Sequence, residues 1–139
     1  MLVRTCLRFA PVTVPPQSRL EEAAQLMAEH EVGSLLVVSG GELIGIVTDR
    51  DIAVRGVGRG LPGTSTVEAV MTAGPTTIDG SADIHDAFRM LKDHDVRRLP
   101  VLEDGDLAGI ITLDDLLVSI ALEFAAALTP VANELVRPH

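Results

Sequence analysis

The chain of 139 residues contains no Trp, no Tyr and only three Phe. It therefore lacks an aromatic platform on which single-stranded bases stack. Basic residues are few: 11 Lys and Arg stand against 20 Asp and Glu, for a net charge of -9. Such a field repels phosphate backbones at long range and argues against nucleic-acid partners. One cysteine, Cys6, excludes an intramolecular disulfide framework and fits a reducing, cytoplasmic setting. The opening stretch MLVRTCLRFAPVTVPP has no long apolar run, so no signal peptide is expected. The most apolar stretch, LLVSIALEFAAALTPVA, is interrupted by Glu123 and Pro130. It reads as a buried or docking helix and not as a membrane span. No His, Cys or carboxylate cluster has metal-ligand spacing, and no nucleophile–base pair or P-loop glycine pattern is visible, so no metal and no enzyme activity are expected.

What the chain does have is a repeat. Shifting it by 64 positions aligns residues 3–54 with 67–118 without a gap, and fifteen positions are identical. They include Val3, Pro11, His30, Val32, Gly45, Thr48 and Asp51. Polarity is kept at most others: Val14 faces Ile78, Leu20 faces Ile84, Met27 faces Leu91. The chain is a tandem duplication.

Each copy reads β-α-β-β-α. A short extended piece precedes turn residues, with Ser18 and Ser81 as candidate helix caps. LEEAAQLMAEHEV and its mate IHDAFRMLKDHDV carry one apolar stripe each and predict amphipathic helices. GSLLVVSGGELIGIVT and RRLPVLEDGDLAGIIT predict hairpins. The expected class is α+β: two β-α-β-β-α repeats related by a pseudo-twofold axis, with their small sheets facing one another. The expected boundaries are residues 3–58 for the first repeat, 59–66 for a Gly-rich linker with Pro62, 67–122 for the second repeat, and 123–139 for a C-terminal helical extension. A copy of roughly 60 residues has a thin core, so the two must pack on each other.

The phrases GELIGIVTDRDI and GDLAGIITLDDL share Thr-x-x-Asp at residues 48–51 and 112–115. The plain reading is a capping box, although such boxes prefer a longer acid at the last position. The other reading is a nucleotide site: a strand ends at Thr, free N–H groups begin there, and Asp can accept the hydroxyls of a ribose. The two readings are compatible. Together with the lead-in Val67–Thr72 (VEAVMT) and the strand RRLPV at 97–101, these phrases resemble the CBS domain, and the whole resembles a stand-alone tandem pair, or Bateman module.

That resemblance implies a regulatory module that binds an adenosine nucleotide (AMP, ADP, ATP or S-adenosylmethionine) in the cleft between repeats and signals to a protein partner. The alternative is a ligand-free structural or oligomerisation module. Carried over residue by residue, one half-site comprises Thr112, Asp114 and Asp115, with Val12, Val32 and Gly33 as an adenine wall and Arg97 toward phosphate. The other comprises Thr48 and Asp51 with Thr76, Val96 and Arg97 or Arg98. The first is expected to bind and the second to be weaker or alternative. Gly33 and Ser34 stand where the second copy has Arg97 and Arg98, so phosphate charge comes from one side only. Asp114 adds a carboxylate that repels phosphate, so the half-sites are not equivalent. Arg50 either touches phosphate or is solvated. His30 and His94 are read as helix C-terminal residues and Cys6 as a small buried side chain. The apolar run 115–128, with Leu117, Ile120, Phe124 and Leu128, implies a homodimer, unless residues 129–139 fold back over it.

Overall fold

Alternating apolar residues along each copy do build hairpins, and the computed structural model, which describes residues 1–136, places them in two sheets. The first repeat consists of β1 (Thr13–Val14), α1 (Leu20–His30), β2 (Ser34–Ser39), β3 (Glu42–Thr48) and α2 (Asp49–Asp51). After β4 (Thr72–Ala73), the second runs β5 (Ile78–Asp79), α3 (Ile84–Asp93), β6 (Arg98–Glu103), β7 (Asp106–Thr112) and α4 (Leu113–Leu135). The sheets have the orders β1-β2-β3-β4 and β5-β6-β7. In both, a parallel strand precedes an antiparallel hairpin. The hairpin irregularities coincide under the 64-residue shift: one bulge lies between Val37 and Val38, the other between Val101 and Leu102. The fold is mixed α+β with two pseudo-symmetric units, and β3 meets β7 where they join.

The cores are not built from the repeats as the sequence divides them. Leu35, Val37, Val47 and the inward residues of α1 form one core, and Val67 and Val70 complete it. Leu99, Val101, Ile111, Leu116 and the inward residues of α3 form the other, completed by Val3 and Cys6. Each repeat thus gives its lead-in segment to the other. The same exchange explains a glycine in each sheet. A Cβ on Gly45 would collide with Met71, and one on Gly109 would sit 3.0 Å from Leu7, the residue that matches Met71. Side chains alternate along a strand. Leu36 and Pro100 therefore point away from these cores, yet both are buried.

Several local expectations need correction. Ser18 and Ser81 cap no helix. Arg19 occupies the first cap position without a side-chain bond to the helix amides, and at the second Asp83 accepts the His85 amide at 2.9 Å. That bond holds the Asp83 carboxyl below the usual carboxylate range. Ser81 lies two residues too early and bonds Asp79 instead. The helix after Thr48 keeps α geometry for three residues only, then passes through a π turn (Ile52–Gly56) and a 3₁₀ turn (Val57–Arg59).

Its counterpart α4 runs unbroken for 23 residues and passes through Pro130. The Ala126 carbonyl that Pro130 cannot bond lies on an exposed turn, open to solvent. Residues 129–135 continue the helix and do not fold back over it, and no break separates an extension at 123 from the second repeat. Residues 137–139 of the expected extension lie outside the described residues. Only Leu116 of α4 is buried. By length and composition alone the helix could cross a bilayer. Its first turn, however, is tied into the second core through Leu116 and the Thr112 cap.

Candidate functional site

Both Thr-x-x-Asp phrases form complete capping boxes, so Asp suffices where Glu or Gln is more usual. The Asp51 amide donates to Thr48 Oγ1 at 3.1 Å, and the Thr48 amide donates to Asp51 Oδ2 at 2.9 Å. The corresponding distances at Thr112 and Asp115 are 3.1 and 3.0 Å. Each box aims a carboxylate at the junction of strand and helix and leaves its second oxygen free of the box. In the first box that oxygen, Asp51 Oδ1, lies 3.9 Å from Arg55 Nε.

A cavity of about 590 Å³ opens beside the first box. Ile46, Thr48, Asp49, Arg50 and Asp51 form one wall, and Thr76, Val96, Arg97, Arg98 and Pro100 form the other. Thr72, Gly74 and Pro75 close a third side. This volume lies within the range of small-molecule sites, and the cavity sits between the repeats. It gathers Thr48, Asp51, Thr76, Val96, Arg97 and Arg98 into one place. Thr112, Asp114, Asp115, Val12, Val32 and Gly33 do not line it. The cavity therefore lies at the half-site that the sequence ranks second.

Two physical differences separate the halves. The first is a wall. β4 pairs with β3, at Ile46 opposite Thr72, and continues into Gly74–Thr76. Among the described residues the matching segment, Arg8–Phe9, joins no strand, and the second sheet has three strands. The second difference is charge. Arg50, Arg97 and Arg98 face the cavity with Asp49 and Asp51. The positions matching those arginines hold Asp114, Gly33 and Ser34. The helical run after Thr48 continues through the π and 3₁₀ turns to Arg59, so its N-terminal N–H groups keep the positive end that the sequence assigned to them, and the arginines add to that field.

Arg98 also ties the repeats together. Its Nη1 donates to the Gly33 carbonyl at 3.4 Å, and the Asp49 amide donates to the same oxygen at 3.0 Å. Gly33 has room for little else, since a Cβ there would lie 3.3 Å from the Asp49 carboxylate. Arg97, expected to serve the Thr112 half, lines the Thr48 cavity with its side chain while its carbonyl accepts the Leu113 amide. Sequence reasoning missed Ile46, Asp49, Thr72, Gly74, Pro75 and Pro100. Comparison of mates would have flagged Pro100, which stands where the first copy has Leu36. Among the described residues, no three His, Cys, Asp or Glu side chains gather to hold a metal.

The profile of the CBS domain matches residues 3–57 and again 67–122. The CBS domain-containing protein YhcV of Bacillus subtilis is 37% identical over 117 residues, covering 84% of each chain. Among solved structures, CBSX2 in complex with AMP aligns with a TM-score of 0.74 at 26% identity, over 88% of this chain and 97% of that one. The CBS domain pair of MJ0100, in complex with 5'-methylthioadenosine and S-adenosyl-L-methionine, aligns with a TM-score of 0.78 at 25% identity, over 88% and 98%.

Proposed function

The chain belongs to the CBS-domain family as a tandem pair, and from that premise we propose that it is a regulatory module, not an enzyme, which binds one adenosine nucleotide per chain in the cleft between its repeats and passes its ligand state to a protein partner. The observation that carries this reading is the 590 Å³ cavity, where a ribose-type acceptor (Asp51), a hydroxyl (Thr48) and three arginines converge from both repeats. Val96 and Pro100 offer an apolar wall to a base, and Arg97 and Arg98 offer bidentate donors to phosphate. The Thr112 half is the minor or empty one, because its arginine positions hold Gly, Ser and Asp. Relatives whose structures hold AMP or S-adenosyl-L-methionine support the ligand class.

Calorimetry with AMP, ADP, ATP and S-adenosylmethionine tests the reading. At least one ligand is expected to bind, and Asp51→Ala is expected to weaken it roughly tenfold or more, the cost of a hydrogen bond to a charged carboxylate. Absence of binding by all four would leave the ligand-free oligomerisation module as the function.

The oligomer is proposed to be a homodimer through α4. Leu117, Ala121, Phe124, Leu128, Val131 and Leu135 recur at alternating steps of four and three, the seam spacing of a coiled coil, and all six are exposed. They present on the order of 500 Å² per chain, so a twofold pair buries about 1,000 Å², the lower end of specific interfaces. The helix contains no Lys or Arg. An anionic lipid surface is therefore a poor partner for it, and a second copy of the same seam is a good one.

A further inference from the structure

In the first repeat the Leu36 amide donates to the Val12 carbonyl at 3.0 Å. This bond belongs to the parallel pairing of β1 and β2, in which Thr13 stands opposite Leu36. In the second repeat Thr76 matches Val12, and Pro100 matches Leu36. Proline has no N–H to donate. The parallel pairing of β5 and β6 accordingly starts one step later, with Ile78 opposite Val101. The Thr76 carbonyl receives no backbone hydrogen bond among the described residues. Thr76 and Pro100 both line the cavity beside Thr48 and Asp51.

We infer that Pro100 is a specificity-determining residue: it leaves the Thr76 carbonyl open as an acceptor for the exocyclic amine of a 6-aminopurine, so the cavity selects adenine nucleotides over 6-oxopurine nucleotides. The inference rests on the nucleotide reading of this cavity. Adenine carries an N–H donor at C6, whereas hypoxanthine and guanine carry a carbonyl there. A 6-oxopurine in the same pose would set two acceptors against each other and leave the Thr76 carbonyl unpaired. A site built to bond a donor rejects the analogue that lacks it far more strongly than an apolar pocket rejects a change of size. In the other half the Val12 carbonyl is already taken by Leu36, so no equivalent acceptor is offered. One proline thus separates the halves in base recognition, as the arginines do in charge.

The test is calorimetry of the full chain with AMP and with IMP, on the parent and on Pro100→Leu, which installs the residue found in the first repeat. The parent is expected to bind one AMP per chain, at least about tenfold tighter than IMP. In Pro100→Leu the new amide closes onto Thr76. AMP affinity falls about five- to tenfold, the worth of one neutral hydrogen bond, and the AMP:IMP ratio moves toward one. The position-100 amide becomes protected from hydrogen exchange, a signature that simple loss of packing does not produce. Pro100→Ala supplies the same N–H with a smaller side chain should Leu be too large to fold. Equal binding of AMP and IMP by the parent, or an unchanged ratio in both variants, overturns the inference and leaves the adenylate reading standing. Absence of binding by AMP, IMP and the other adenylates overturns both.

Discussion

Glu31 and Asp95 are left-handed, with φ of 53° and 50°, and they are mates under the repeat. Each ends a helix and turns the chain toward cleft residues, Val32 and Gly33 in one repeat and Val96 and Arg97 in the other. The following amide closes the turn: Val32 bonds the Met27 carbonyl and Val96 that of Leu91, both at 3.0 Å. Helices commonly end this way, but on glycine. A side chain at this φ costs about 1–2 kcal/mol, and glycine gives part of that back as unfolded-state entropy. Glu31→Gly is therefore expected to raise stability by about 0.5–1 kcal/mol, read as a shift of the denaturant midpoint at constant slope. Asp95→Gly is expected to gain less, because Asp tolerates this conformation better. A fall in the midpoint for Glu31→Gly would mean that its side chain contributes something the turn geometry does not reveal.

The helices that follow the two boxes diverge more than any other matched pair. One loses α geometry after three residues, and the other continues for 23. The early break was legible as GVGRG, but the full reach of α4 was not, because Pro130 reads locally as a stop. Pro130 is tolerated on a turn that nothing packs against. The hairpins, the amphipathic helices and both boxes were legible because each was written twice. The caps at Arg19 and Asp83 were not, since Ser18 and Ser81 have the better intrinsic preference and lie out of register. Nor was β4, whose pairing depends on a segment meeting a sheet that its own repeat does not own. At this scale Phe124→Glu tests the proposed pairing. Phe124 is 66% exposed in the single chain, so the substitution leaves the fold intact, and thermal midpoints should agree closely. Light scattering is expected to give a dimer for the parent and a monomer for the variant. A parent that stays monomeric at micromolar concentration would exclude the pairing.

Over the whole molecule, the exchange of lead-in segments makes the repeats interdependent. Val67 and Val70 belong to the second repeat in sequence but to the first core in space, and Val3 and Cys6 are the reverse. Val67→Ala is expected to cost about 2 kcal/mol, a cavity in a fully buried position. Its local signature should be faster amide exchange in β2 and β3, not in β6 and β7. Acceleration confined to β6 and β7 would contradict the exchange. The same arrangement sets an order of events during synthesis. The first core can close once Val70 has left the ribosome, while the second must await Leu116, 113 positions after Val3. Residues 3–6 are thus made before nearly everything that shelters them. Throughout that interval the Cys6 thiol, inert once enclosed, is open to oxidants and to stray cysteines, and a ribosome that stalls between the two units leaves it so.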